Sequence, residues 1–355
     1  MRDALVTLLN RGEYCPIPSV IADASPRVIN CAVMGTYDLR QLIEDVMRAS
    51  PDDEMEWDAC RTNSDALCYA LSKIITTEIG RSIALDVRFE NWSCDVIGEQ
   101  EEAHLNFSQK IISIPLPCAS VSHLNRTPEY KAHFILSVFE SLRRIWHVNV
   151  GAPASNCWAL SDVLMWNKCL RADLDIMNIV MAYQLRGLDM ADVWRTMLAS
   201  SLRDLADSYC DSMAISFDED YGDEHLDILA DLYLSWFYND DRVNECDHAT
   251  LSSIDHAMKQ TSVDMIIGTN HLTAHDIMGL SLYPLGGMPY LDVVASELIY
   301  NPEYTEMRCD MLRAHKLQLE QDINDNQCTP SNLLVFRDPS LNRLFGNGTH
   351  IDTVG

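Results

Sequence analysis

The chain is short of positive charge. Its 355 residues hold 26 Lys and Arg against 53 Asp and Glu, a formal net charge of −27 at pH 7. Phosphate backbones are bound through Lys and Arg, so this balance excludes a general nucleic-acid binder. It disfavours docking on an anionic membrane for the same reason. No apolar run approaches the roughly 18–20 residues a spanning helix needs. The opening residues, MRDALVTLLNRGEYC, lack the long apolar stretch ending in small residues that marks a secretory signal. Neither nucleic acid nor membrane is expected as a partner, and the cytoplasm is the expected compartment.

Familiar catalytic signatures are missing too. There is no Gly-x-x-x-x-Gly-Lys-Ser/Thr phosphate loop, no Gly-x-Gly-x-x-Gly fingerprint and no Gly-x-Ser-x-Gly elbow, and Gly286-Gly287 marks only a turn. Internal repeats and low-complexity linkers are absent. Trp194, Trp236 and Phe237 read as helix-face core, since no basic groove accompanies them as a base-stacking platform requires. Cysteine is plentiful at 12, yet no Cys-x-x-Cys pair occurs, which removes zinc knuckles and thioredoxin-like motifs. Cys68 and Cys169 sit in apolar helical context, where a reduced thiol acts as a small core residue.

What is present is a globular composition, 47% apolar and 22% charged. The acidic clusters Pro51–Asp58 and Asp218–Glu224 read as solvated loops; the rival reading of the acidity is a decoy that sequesters a nucleic-acid-binding protein. Apolar periodicity predicts helices over Asp38–Ala49, Ser64–Gly80, Lys131–His147, Leu170–Arg186, Met190–Tyr209, Leu226–Tyr238 and Ala249–Lys259. Strands are expected over Ile83–Phe89 and within Leu105–Leu116. The order, helix then short strands then many helices, gives an α+β class, mostly helical with a small central sheet. Residues 1–62 read as a partly helical extension, 63–300 as the main domain, and 301–355 as a C-terminal helix and surface tail containing Leu333–Phe336.

The helix Lys131–His147 carries a wide apolar stripe of Ile135, Val138, Phe139, Leu142, Ile145 and Trp146. Its other side presents His133, Ser137, Glu140, Arg144 and His147, with Glu140 and Arg144 as an i,i+4 pair in the favourable order. The helix Leu170–Arg186 is apolar around most of its circumference and therefore expected to be central. Arg171, Asp173 and Asp175 occupy its expected first turn, where acids suit the helix dipole.

Four ordered pieces then resemble an uncharacterised bacterial family assigned as zincin-like zinc metallopeptidase domains. They are ESLRRIWH (Glu140–His147), LRADLDIMNIVMAYQLRGLDMADVW (Leu170–Trp194), LADLYLSWFYNDDRVNECD (Leu229–Asp247) and LGGMPYL (Leu285–Leu291). The resemblance spans about Ser64 to Val294 and implies a zincin-like fold. It also implies that the family's metal-site positions fall on Glu140, Ser141, Arg144 and Arg171, with Asp173 and His147 behind them. Two His at i,i+4 and an adjacent Glu are what a zincin helix needs. An Arg cannot deprotonate to coordinate a metal, so the resemblance implies a lost site, filled by an ion-pair network of Glu140, Arg144, Arg171 and Asp173.

The expectation is therefore a catalytically inactive, metallopeptidase-like protein acting as a binding, regulatory or structural component. It has no metal or other cofactor, a protein partner, and an oligomeric state left open. Glu140 is the one catalytic candidate. An active zinc peptidase with a divergent site is the alternative, using Glu140 with His147, or the pair His271 and His275 on one helical face, with Thr269 or Asn270 as caps.

Overall fold

A computed structural model describes residues 36–50, 52, 56, 58–86, 91–98, 104–106, 109–149, 158–215, 223–259 and 267–326. The expected tail with Leu333–Phe336, most of the Asp218–Glu224 cluster and much of Pro51–Asp58 lie outside the described residues. In chain order the elements are β1 (Tyr37–Asp38), α1 (Leu39–Arg48), α2 (Asn63–Thr76), α3 (Glu78–Asp86), β2 (Ser93–Ile97), β3 (His104–Asn106), β4 (Ile111–Pro115), α4 (Val121–Leu124) and α5 (Pro128–Asn149). There follow α6 (Leu160–Gly187), α7 (Ala191–Leu198), α8 (Arg203–Ile215), α9 (Asp223–Phe237), α10 (Asp240–Met258), α11 (Ala274–Leu280), α12 (Ala295–Tyr300), α13 (Pro302–Thr305) and α14 (Asp310–Asn326). The chain is mostly helical with one small mixed sheet, an α+β arrangement. One apolar core takes side chains from Leu39 through to Ile323.

The sheet order is β1-β2-β4-β3. Strand β2 pairs in parallel with β4, while β1 and β3 add antiparallel edges. Register places Cys94 opposite Ile112 and Val96 opposite Ile114, so these four buried side chains form the inward face. Helix α5 packs on β4, and α2, α6 and α7 pack on α5.

Helix α6 is the hub. It packs against α5, α7, α9 and α10, and 20 of its 28 residues are buried. It begins at Leu160, ten residues before the expected start, because the apolar run Val163–Trp166 already belongs to its buried surface. Arg171, Asp173 and Asp175 consequently sit at mid-helix, and the acid of the first turn is Asp162. The helix dipole therefore does not account for that acidic pair.

Other expectations shift for local reasons. Helix α2 is capped by Thr62, in a reciprocal box with Asp65, and so begins a residue before Ser64. The expected helix Met190–Tyr209 breaks into α7 and α8, where Ser200 Oγ donates to Met197 O and accepts from Leu202 N. Before α7, Asp189 takes a left-handed turn at φ 63° that lets Met190 N donate back to Leu185 O. Strand β2 went unrecognised in the sequence.

The expected strand Ile83–Phe89 is overturned: its first four residues close α3, and residues 87–89 lie outside the described set. Ile79 and Ile83, one turn apart, are buried, whereas Leu85 is 62% exposed. Helical period thus wins over apparent alternation. Gly80 does not end α2 either. Thr77 makes the joint, its Oγ1 donating to Ile74 O at 2.7 Å and accepting from Gly80 N at 3.0 Å. A Cβ at position 80 would lie 2.1 Å from Ile74 O and 2.6 Å from Thr77 Oγ1. Gly80→Ala is therefore expected to destabilise the fold by about 1–3 kcal/mol through overpacking, read as a lower denaturant midpoint with unchanged slope.

Candidate functional site

Two charged clusters occupy the seam between α5 and α6. The outer one holds the residues singled out in the sequence. Arg144 reaches Glu140 Oε1 through Nη2 at 2.9 Å and Nε at 3.2 Å. Arg171 reaches the same oxygen at 3.3 Å through Nη1, and its Nη2 stands 2.6 Å from Asp175 Oδ1. Trp236 Nε1, from α9, donates to the other Asp175 oxygen at 2.8 Å. The chain of contacts Arg144–Glu140–Arg171–Asp175–Trp236 thus ties α5, α6 and α9 together.

Asp175, not Asp173, completes this lattice. On α6 the i,i+4 spacing from Arg171 leads to Asp175, while Asp173 points about 160° away, toward the core. Ser141 is buried.

The inner cluster centres on Asp173, which is fully buried. Arg143 binds it bidentately, Nε to Oδ2 at 3.0 Å and Nη2 to Oδ1 at 2.8 Å. His147 Nε2 lies 2.7 Å from Oδ2, and Tyr290 Oη donates to Oδ1 at 2.7 Å. Arg143 Nη2 also donates to the carbonyl of Leu282 at 3.0 Å, and its guanidinium lies 4.2 Å from the Trp146 ring centroid. Residues 280–290 are thereby drawn against α5 and α6. His147, expected on the polar side of α5, is buried here because it lies one turn beyond Arg143 and faces the same Asp173.

Electrostatics separate the clusters. Burial would raise the Asp173 carboxyl, but Arg143 and the converging hydrogen bonds hold it well below the ordinary range. Burial, with Arg143 alongside, pushes His147 down to about 4. The ring is therefore neutral near pH 7. A carboxylate only accepts, so the proton sits on Nε2. Arg143 Nη1 and His147 Nδ1 have no hydrogen-bond partner among the described residues. For Glu140, burial is likewise outweighed by Arg171 and Arg144, and its carboxyl lies below the ordinary value. A general base near neutral pH needs the opposite shift.

The implied zinc can be tested against these residues. Of the four positions, two are guanidiniums, one is a hydroxyl, and the single carboxylate is held by both guanidiniums. That donor set does not fit zinc. Among the described residues no group of three or more His, Cys, Asp or Glu could hold a metal ion.

His271 and His275 do not share a helical face, which corrects that expectation. Helix α11 starts at Ala274, capped by Thr273 in a box with Asp276, so His271 precedes it. Asn270 bridges to Trp158 instead of capping. His271 Nδ1 lies 2.8 Å from Asp162 Oδ2, an oxygen buried on α6, while the ring itself is half exposed.

No family model, curated protein or solved structure matches this chain. The chemistry of the site therefore stands on its own geometry.

Sequence reasoning missed Arg143 and Tyr290. Arg143 had a signal: with Phe139 four residues before it and Trp146 three after, it is a cation inside the apolar stripe. Tyr290 had none beyond its place in LGGMPYL. Two outcomes separate the clusters. Asp173→Asn leaves Arg143 buried without its counter-charge and is expected to cost about 3–5 kcal/mol; Arg144→Gln, at the solvent edge, is expected to cost at most about 1 kcal/mol. Denaturant unfolding of both variants reads the contrast.

The pH dependence has a definite sign. Between about 6.5 and about 4 the unfolded chain protonates His147 while the folded chain does not, so stability falls as pH falls. The loss from this one residue is on the order of 3 kcal/mol. His225, pushed down to about 4 by burial, acts in the same direction. His147→Gln should show a shallower decline in unfolding free energy across that window.

Proposed function

We propose that the chain is a non-catalytic protein of metallopeptidase-like, zincin-like fold, acting as a binding or structural component. The observation that carries this reading is the double engagement of Glu140. Its Oε1 is shared by Arg144 and Arg171, and Arg171 is in turn held by Asp175. A hydrolytic carboxylate must be free to take a proton from water. Glu140 instead bridges two cations and has a depressed proton affinity.

Support also comes from the kind of substitution. Guanidiniums at positions where the family resemblance expects metal ligands repel a dication, and the accompanying carboxylates supply the negative charge that keeps the seam neutral. The resulting lattice cross-links three helices. Such a replacement conserves the frame of a catalytic domain while removing its chemistry, leaving surface recognition as the remaining use. The excess of acids favours a partner with a basic face, reached rapidly at low salt.

Metal analysis of purified protein, paired with a peptidase assay, tests the reading. Zinc far below one equivalent, no thermal shift on adding zinc and no cleavage of a denatured protein substrate are the expected results. Stoichiometric zinc, removed by a chelator together with peptidase activity, would overturn it.

A further inference from the structure

Away from the α5–α6 seam, a second charged pair is buried between α6 and α10. Lys168 and Asp247 are each only 1% exposed, and Lys168 Nζ stands 3.6 Å from Asp247 Oδ1. The ammonium donates to the carbonyl of Tyr304 at 3.1 Å. Neither Asp247 oxygen receives a hydrogen bond of ordinary length among the described residues. The cationic groups acting on Asp247 besides Lys168 are Lys316 and Arg308. Lys316 is paired with Glu320 and Arg308 with Asp240.

As an ion pair this arrangement is poor. A buried pair offsets its desolvation only with close geometry and filled lone pairs. Here the attraction is stretched beyond hydrogen-bond length, and among the described residues the carboxylate accepts no hydrogen bond of ordinary length. The contrast with Asp173, which lies a turn and a half beyond Lys168 on α6 and accepts four hydrogen bonds, is direct.

We propose that Lys168 and Asp247 condense into a side-chain amide, an isopeptide bond that pins α6 to α10. The site has what the reaction needs: an amine held beside a carboxyl group, and burial that keeps bulk water from stabilising the charged reactants. Burial also pushes the Asp247 carboxyl up from its ordinary value, toward the neutral acid.

In the reaction a proton passes from the ammonium to the carboxylate within the pair. The Nζ lone pair forms the bond to Cγ, one C–O bond breaks, and the departing hydroxyl leaves as water with a second Nζ proton. Nothing is oxidised or reduced and no co-reactant is required. Two poorly compensated buried charges become one neutral amide, whose N–H retains the carbonyl of Tyr304 as acceptor.

Mass spectrometry of the intact, denatured full chain decides the matter. The expected mass is below that of the sequence by one water, and digestion should release a branched peptide joining Lys168 to Asp247. Asp247→Asn should lose ammonia instead and arrive at the same final mass as the wild type. Lys168→Arg should show its full sequence mass. A wild-type chain at full mass, or a water loss that fragmentation maps to another position, would overturn the proposal. Both readings come from the wild-type protein, so a variant that fails to fold does not obscure them.

Discussion

The architecture depends on ionisable side chains inside a helix that has almost no exposed surface. Helix α6 carries Asp162, Lys168, Asp173 and Asp175 among its buried residues. Each faces a group from another part of the fold: His271, Asp247, Arg143 with His147 and Tyr290, and Trp236. Apolar contacts alone would tolerate a helix that slid or rotated by a residue. Buried charges do not, because a displaced carboxylate loses its partner and gains a full desolvation penalty. The apolar surface of α6 makes the core favourable, and its charges fix the register of the neighbouring helices.

The two clusters at the α5–α6 seam divide the work by depth. Around Asp173 the acceptor is fully matched, the donors come from two segments, α5 and the stretch holding Tyr290, and solvent is excluded. Around Glu140 the geometry is looser and the arginines reach water. A half-exposed lattice of this kind contributes little net stability but keeps a polar seam electrically neutral. That neutrality is notable in a chain of net charge −27, where a seam of bare carboxylates would repel itself.

Long periodic segments were legible in the sequence. The stripe through Ile135, Phe139, Leu142 and Trp146 gave α5 within a few residues, and the apolar circumference around Ile176–Met181 gave the central position of α6. The strand reading of Ile83–Phe89 failed because a short apolar run is compatible with either period, and the deciding fact, Ile79 packing one turn before Ile83, belongs to tertiary structure. At the site, Glu140, Arg144 and Arg171 could be brought together from helical spacing and the family resemblance. Which acid completed their lattice depended on the helix phase, and phase was misplaced with the start of α6. Asp162 and His271 are 109 residues apart in the chain, and no local pattern connects them.

Tyr290 gives the Asp173 cluster a further meaning. It reaches Asp173 across 117 residues, and the Leu282 carbonyl that holds Arg143 lies in the same late stretch. While the chain is being synthesised, α5 and α6 emerge long before either group. The nascent protein can pair Arg143 with Asp173, but two polar partners and the segment that seals them from water are still missing. Completion of the core is thereby deferred until residues beyond 290 have left the ribosome. The central charge ties the finished core of the first half to groups supplied by the second.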